Sequence, residues 1–208
     1  MPAWKNVKTS LLYGALALLM MAAGAGSALW LHKVFSPSQH RPEGDTPVFL
    51  PETQQEKGLE RFVHHGEAKP IADVSFIDES GAPRKLSDWR GKTVLVNLWA
   101  MWCAPCKLEM PSLNRLQAAL GSEHFLVLTL NTDRTGLKEA RQFFIKSGID
   151  QLALMGDATG NADVKLKAEG LPTSLILNEE GLEVARVLGP MDWDSPQIAG
   201  KIRGYIAP

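Results

Sequence analysis

The stretch from Thr93 to Cys106, TVLVNLWAMWCAPC, decides the fold of this chain. Residues 93–100 form a nearly continuous apolar run rich in β-forming side chains, which is typical of a central strand buried on both faces. Two cysteines follow directly, and residues 107–120 then carry leucines at helical spacing, with Pro111 interrupting the pattern. The cysteine pair is therefore predicted to lie between a buried strand and a helix.

The position of Cys103 predicts a reactive sulfur. At a helix N-terminus, unpaired amides and the helix dipole favour the thiolate, so Cys103 is the expected nucleophile. Cys106 lies one turn further in, where it is placed to attack a mixed disulfide formed at Cys103, and burial keeps it protonated until then. Pro105 fits the first helical turn, where its missing amide hydrogen costs nothing.

Three other uses of the pair stay open beside thiol–disulfide exchange. A structural zinc site needs about four ligands, and the chain offers two cysteines and five scattered histidines without a second pair at metal spacing. Residues 101–106 also match the Met-x-Cys-x-x-Cys loop that binds soft Cu(I), and two incidental core cysteines are the third possibility. Exchange is the prediction that the spacing favours, and it needs no cofactor and no metal site.

The rest of the domain alternates strands and helices. This alternation predicts an α/β sheet with parallel strands and helices on its faces. Strands are expected at 71–77, 93–100, 125–131 and 152–155, a hairpin at 171–177 and 182–188, and helices at 107–120, 136–146, 161–168 and 195–206.

The first third of the chain differs from the rest. Residues 9–31 contain no charge and would span about 34 Å as a helix, which predicts a transmembrane anchor. The alternative is a cleaved signal peptide ending near residues 23–25, and either interpretation exports the rest. The expected boundaries are 1–32 for the anchor or signal peptide, 33–63 for a tether with a short helix within 52–65, and 64–208 for the domain.

Composition narrows the function classes. Hydrophobic residues make up 45% of the chain and charged residues 22%, which argues against wholesale disorder and against a polytopic membrane protein. The formal net charge is -1, and this balance argues against a nucleic-acid partner.

The motifs resemble those of the thioredoxin superfamily. The resemblance is carried by the run 97–106, by Pro111 five residues after the second cysteine, and by Leu-Pro-Thr at 171–173. Within that superfamily, LSDWRGK at 86–92, KLEMP at 107–111 and an extra helix and strand before residue 172 are similar to the TlpA branch of membrane-anchored bacterial thiol-disulfide oxidoreductases. The similarity covers 64 to the C-terminus.

The resemblance implies a thioredoxin-like α/β fold with a helix–strand insert, on an N-terminal transmembrane helix in the bacterial inner membrane. The periplasmic domain would reduce disulfides in client proteins, notably copper-centre assembly factors or a subunit of cytochrome oxidase. A membrane-embedded electron donor would re-reduce it. A cytochrome c maturation reductant with the same chemistry, and a copper-binding metallochaperone, are the alternatives.

The resemblance also implies residue roles near the sulfurs. Pro172 would be a cis-proline facing the cysteines, and a cis bond would present the Leu171 backbone to a client's extended chain. The alternative is a trans-proline opening an edge strand. Trp102 would shield the sulfurs and contact clients, while Trp99 is expected in the core.

One departure from thioredoxin requires another proton acceptor. Asn97 stands where thioredoxin has a buried aspartate, and an amide takes no proton at physiological pH. Glu109 lies one helical turn after Cys106, so its carboxylate is a candidate relay for the resolving thiol. The alternative is a solvated glutamate on the polar face of the helix.

Two further expectations concern histidines. His64 and His65 are predicted to be solvated rather than metal-bound, because no third ligand lies nearby in the sequence. The Ala-Pro pair between the cysteines lacks the histidine of strongly oxidising relatives, which favours a reducing potential.

Overall fold

The computed structural model describes residues 59–157 and 159–206. The predicted anchor, most of the predicted tether and the first part of the expected helix at 52–65 lie outside these residues. Among the described residues, no helix combines the length and the hydropathy that a membrane span requires.

The described residues form eight strands and four helices. The strands are β1 Phe62–Lys69, β2 Ser75–Ile77, β3 Pro83–Lys85, β4 Thr93–Trp99, β5 Phe125–Asn131, β6 Ala153–Gly156, β7 Thr173–Leu177 and β8 Glu183–Leu188. The helices are α1 Ala104–Leu120, α2 Lys138–Lys146, α3 Ala162–Lys165 and α4 Pro196–Arg203, with a 3-10 turn at Leu86–Trp89.

One mixed sheet joins all eight strands in the order β1-β8-β7-β4-β5-β6-β2-β3. Strands β4, β5 and β6 run parallel, as the alternation predicted, whereas β7 pairs antiparallel to β4 and continues into β8 as a hairpin. The pairing of Leu98 with Thr173 brings the end of β4 beside the start of β7. The segment after β4 and the segment before β7 therefore meet at one edge of the sheet.

Burial on both faces explains the apolar run in β4. Every residue of this strand is buried. Leu95 and Trp99 belong to the core cluster that includes α1, α2 and α4, while Val94, Val96 and Leu98 belong to the cluster on the opposite face. Alternate side chains of a strand point to opposite faces, so a strand between two cores needs apolar residues throughout.

The structure corrects the expected helix that reached His65. From Phe62 onward the chain forms β1, which pairs antiparallel with β8. Without β1, the backbone amides and carbonyls along that side of β8 would lack partners, so the pairing satisfies them. Phe62 also stacks on Tyr205 with ring centroids 6.0 Å apart, which ties the start of the strand to the segment after α4.

All four helices differ in extent from their sequence predictions: α2 begins at 138 rather than 136, and α4 covers Pro196–Arg203 rather than 195–206. Helix α1 begins at Ala104, three residues earlier than expected, and continues through Pro111. Helix α3 is a single turn rather than the predicted 161–168. The Asp157 carboxylate accepts the Ala162 amide at 2.7 Å and so begins the turn, and Lys167, with a φ of 54°, adopts a left-handed conformation that a helix does not continue through.

Truncating one leucine on each side of α1 tests which face supports the core. Leu113 is fully buried, and we expect Leu113→Ala to lower the free energy of unfolding by about 2–5 kcal/mol, because it removes buried methyl groups and leaves a cavity. Leu108 on the same helix is 78% exposed, so Leu108→Ala should change it by less than about 0.5 kcal/mol. Urea unfolding followed by tryptophan fluorescence measures both, and equal losses would contradict the assigned faces.

Candidate active site

Cys103 and Cys106 form a disulfide at the start of α1, with Cα atoms 5.3 Å apart. Cys103 is the N-cap residue, and its Sγ accepts a hydrogen bond from the Cys106 amide at 3.2 Å. This amide is one of the unpaired donors of the first helical turn, so it lies where it would stabilise negative charge on Cys103. Cys106 is fully buried, whereas Cys103 retains slight exposure, so an external sulfur can reach only Cys103.

The loop that enters the helix is held by the segment after β5. The Asp133 carboxylate accepts the Met101 amide at 2.7 Å and the Asn131 side-chain amide at 2.9 Å. Thr132 donates its backbone amide to the Trp99 carbonyl at 2.9 Å. Sequence reasoning missed Asp133. The available signal was its place directly after a parallel strand neighbouring β4, where such strand ends meet.

The Leu171–Pro172 peptide bond is cis, as predicted. Pro172 is buried, and its carbonyl accepts the Gly189 amide at 2.9 Å, which fixes the proline against the chain after β8. Leu171 is only partly buried, and its amide and carbonyl have no hydrogen-bond partner within the described residues. The backbone of Leu171 therefore presents one free donor and one free acceptor beside the end of β4.

Glu109 lies inside the protein, so the alternative of a solvated glutamate is wrong. Glu109 is only 3% exposed. One carboxylate oxygen accepts Asn97 Nδ2 at 2.8 Å, and the other accepts the Met191 amide at 2.9 Å and Trp193 Nε1 at 3.0 Å. The segment between β8 and α4 thus donates to one carboxylate oxygen, and Asn97 donates to the other.

This environment changes the acidity of Glu109. Burial raises its pKa from the ordinary 4.5 to about 7, although the hydrogen bonds donated by Met191, Asn97 and Trp193 act in the opposite direction. A carboxyl with a pKa near neutrality can exchange a proton at physiological pH. Asn97 also donates to Ser174 Oγ at 2.9 Å, and its Oδ1 has no partner among the described residues.

The two tryptophans of the motif have opposite environments, as predicted. Trp99 is fully buried and stacks on Phe144 with ring centroids 5.6 Å apart. Trp102 is 74% exposed beside Cys103. The site therefore presents one large aromatic surface to solvent next to the reactive sulfur.

The prediction of solvated histidines is wrong for His65. Its side chain is 9% exposed, and Nε2 lies 2.9 Å from the Glu183 carboxylate. Pairing of β1 with β8 places it there, which the helix expected at this position would not have done. Within residues 59–157 and 159–206, no three histidine, cysteine, aspartate or glutamate side chains are grouped so as to hold a metal ion.

A cleft of about 590 Å³ is lined by Trp102, the residue before Cys103, and by Leu171, the residue before the cis-proline. Residues 132–135 and parts of 160–170 complete the lining. All of these residues except Trp102 belong to the connection between β5 and β7, which contains the additional helix and strand noted in the sequence. Sequence analysis did not foresee this cleft.

A redox-active cysteine pair at the N-terminus of α1, beside a cis-proline and a central mixed sheet, defines a thioredoxin-like thiol-disulfide oxidoreductase. A family model described as Redoxin matches residues 66–202, and the chain belongs to that family.

Individual relatives agree with this class. The chain is 32% identical over 117 residues to the thioredoxin-like protein YneN of Bacillus subtilis, covering 56% of this chain and 68% of the relative. It is 26% identical over 142 residues to the thiol-disulfide oxidoreductase ResA of Bacillus cereus, covering 66% and 75%. Dithiol–disulfide exchange through Cys103 and Cys106 is therefore the activity of this site, and its clients are disulfide-bearing proteins.

Solved structures support the thioredoxin-like α/β fold. A protein from Chlorobium tepidum, described as a putative thiol:disulfide interchange protein DsbE, superposes with a TM-score of 0.60 at 24% identity, covering 68% of this chain and 98% of that one. A secreted thiol-disulfide isomerase from Corynebacterium glutamicum gives a TM-score of 0.56 at 23% identity, covering 75% and 96%.

The raised pKa of Glu109 predicts a pH dependence of stability. Because the folded pKa lies above the unfolded one, the folded protein binds more protons between pH 4.5 and 7, and its stability falls as the pH rises through that window. Across this window the contribution of Glu109 to the free energy of unfolding falls by about 3 kcal/mol, and it is gone above pH 7. We expect Glu109→Gln to lack this loss. Urea unfolding of both proteins at pH 4.5 to 8 measures it, and parallel pH profiles would contradict the assignment.

Proposed function

We propose that this protein is a TlpA-like, membrane-anchored reductant that acts on client disulfides in the bacterial periplasm. The observation that carries the proposal is the difference between the two sulfurs. The sulfur of Cys103 accepts a hydrogen bond from an amide at the helix N-terminus and belongs to a residue with slight exposure. Cys106 is fully buried, on the same helix as the enclosed carboxyl of Glu109. This arrangement supports an outer sulfur that attacks and an inner sulfur that resolves.

The steps balance in electrons and protons. The Cys103 thiolate attacks one sulfur of a client disulfide, the client S–S bond breaks, and the client's other sulfur leaves as a thiolate that takes a proton. Deprotonated Cys106 then attacks Cys103 Sγ, so the Cys103–Cys106 disulfide forms and the client's second thiolate leaves. Two electrons pass to the client, and the structure holds the oxidised product. A dithiol donor restores the reduced pair by the reverse exchange.

Glu109 is proposed to take the proton of Cys106. The two residues are three positions apart on α1, which places them on one side of the helix, and both are buried. Burial raises the pKa of Glu109 to about 7, so it can accept a proton when Cys106 attacks and release it afterwards. The Asn97 amide holds the carboxylate in place without competing for the proton.

Client contacts are proposed for four residues around Cys103. The amide and the carbonyl of Leu171 have no hydrogen-bond partner among the described residues. They would pair with an extended client segment. Pro172 fixes that backbone. Exposed Trp102 and Pro105 flank the sulfur and offer apolar contact to the client side chains on either side of its cysteine.

The cellular setting is proposed from the chain outside the described residues and from the TlpA resemblance. The uncharged run 9–31 supports an anchor within 1–32, followed by a tether from residue 33 that leads to the domain, whose sheet includes β1 from Phe62 onward. The absence of histidine between the cysteines supports the reducing direction. Clients in copper-centre assembly of cytochrome oxidase, and a membrane-embedded donor, complete the proposal.

A trapping variant identifies the client. In Cys106→Ser the resolving sulfur is missing, so we expect the client to remain covalently attached to Cys103, where mass spectrometry of affinity-purified adducts identifies it. A copper-centre assembly factor or an oxidase subunit is the expected adduct.

The matched control is Cys103→Ser, which should trap nothing. An adduct with apocytochrome c would replace the proposed client with one of haem maturation. Equal adducts on both variants, or none on either, would contradict the assigned order of attack.

A second variant tests the relay. We expect Glu109→Gln to slow the decay of a mixed disulfide on Cys103 by about 100-fold or more, because general base catalysis by one side chain contributes about that much. Stopped-flow decay of a chromogenic mixed disulfide at pH 6 to 9 measures it. Glu123→Gln, which changes a solvent-exposed carboxylate, is the control. An unchanged rate in Glu109→Gln removes Glu109 from the mechanism.

A further inference from the structure

The cleft lined by Trp102 and Leu171 contains charged side chains that the exchange steps do not use. Its volume of about 590 Å³ lies within the range of ligand pockets. Two of its lining residues adjoin the reactive centre in the chain, because Trp102 precedes Cys103 and Leu171 precedes the cis-proline. An extended client held by its cysteine at Cys103 can therefore place its neighbouring residues against this cleft.

The lining carries an excess of negative charge. Asp133, Asp163 and Glu169 contribute three carboxylates, and Arg134 contributes the one guanidinium among the lining residues. Asp133 is engaged with the Met101 amide, yet its charge remains next to the loop that enters the active site. The cleft thus has a formal charge of -2 when its acidic groups are ionised.

Two of the three lining carboxylates retain capacity for a ligand. Asp163 uses one oxygen to accept the Val164 amide at 2.8 Å, and its second oxygen has no described partner. The side chains of Glu169 and Arg134 form no hydrogen bond or ion pair with other described residues, and both residues are exposed. Neither side chain is therefore held in an ion pair by another described residue.

Small residues leave room for a polypeptide. Gly160, Ala168 and Gly170 are among the lining residues, and a side-chain carbon added at Gly170 would meet no atom within 4 Å. Trp102 and Leu171 contribute apolar side chains to the lining, whereas Asp163 and Glu169 contribute carboxylates. An extended segment with a long basic side chain fits both, since its methylene groups can pack on the aromatic surface while its cationic end reaches a carboxylate.

We propose that this cleft binds the client segment next to the target cysteine and selects segments that carry lysine or arginine there. Asp163 and Glu169 are the specificity residues, and the connection between β5 and β7 supplies them. This inference rests on the proposed function, because it concerns the clients of the same cysteine pair. Charges at the rim of an interface act mainly on the rate of association, and salt weakens their effect.

Three synthetic disulfide peptides test the proposal. They differ only in three residues beside one cysteine, which are all lysine, all glutamine or all glutamate. The reduced full chain is mixed with each at low and at high salt, and each rate is divided by the rate with dithiothreitol, which removes the intrinsic reactivity of the peptide. We expect the lysine peptide to exceed the glutamate peptide by about three- to tenfold at low salt, with the ratio shrinking at high salt.

Two matched variants localise the effect. Asp163→Asn/Glu169→Gln should bring the ratio of the lysine-peptide rate to the glutamate-peptide rate close to one. Glu169→Gln alone should lower this ratio partway, and it changes no side chain that supports the described fold. The control Glu179→Gln/Glu180→Gln removes the same charge in the β7–β8 turn, at the end of β7 away from the cis-proline, and should retain the full preference.

The outcomes separate the two proposals. Equal reduction of all three peptides by the unmodified protein, a preference for glutamate, or a lysine preference that persists in the cleft variants would each overturn the proposed selectivity while leaving the exchange function intact. Failure to reduce any of the peptides would instead count against the proposed reductant itself.

Discussion

The site depends on the hydrogen bond between the Cys106 amide and the Cys103 sulfur at the first turn of α1. An amide there has no partner within the helix, so it is available to a sulfur at the N-cap position. Only three residues separate Cys103 from the end of β4, and both Trp99 and Cys103 belong to the buried core cluster, which holds the sulfur at the helix end. The buried strand thus fixes the position of one sulfur relative to the amides at the helix N-terminus, and with it the electrostatic environment of that thiol.

A second constraint is the enclosed carboxyl of Glu109. Its three donors come from β4 and from the segment between β8 and α4, so both of these and α1, which carries Glu109, must be in place before the carboxyl is shielded from water. This burial keeps a proton available at neutral pH and costs stability when the proton leaves. Chemistry and stability are therefore opposed at this residue, which is common where a fold tunes a titratable group.

Sequence patterns predicted what local chemistry determines. The buried strand β4, the helix after it and the cap position of Cys103 followed from periodicity and adjacency, and the cis bond before Pro172 followed from family resemblance. The burial of Glu109 depends on residues more than 80 positions away, which spacing along one helix does not reveal. The strand at 62–69 was missed because its extended conformation depends on pairing with β8, which lies far away in the sequence.

The mixed direction of the sheet brings two kinds of proposed client contact to one edge. Parallel strands end at the edge where α1 begins, so the loops after β4 and β5 meet there and bring Asp133 to the Met101 amide. Antiparallel β7 begins at the same edge, directly after Leu171 and Pro172. The connection between β5 and β7 therefore carries both the Leu171 backbone and the carboxylates of Asp163 and Glu169. Backbone pairing gives affinity for any extended disulfide-bearing segment, whereas the carboxylates discriminate among such segments, and these side chains can be substituted without removing the Leu171 amide and carbonyl.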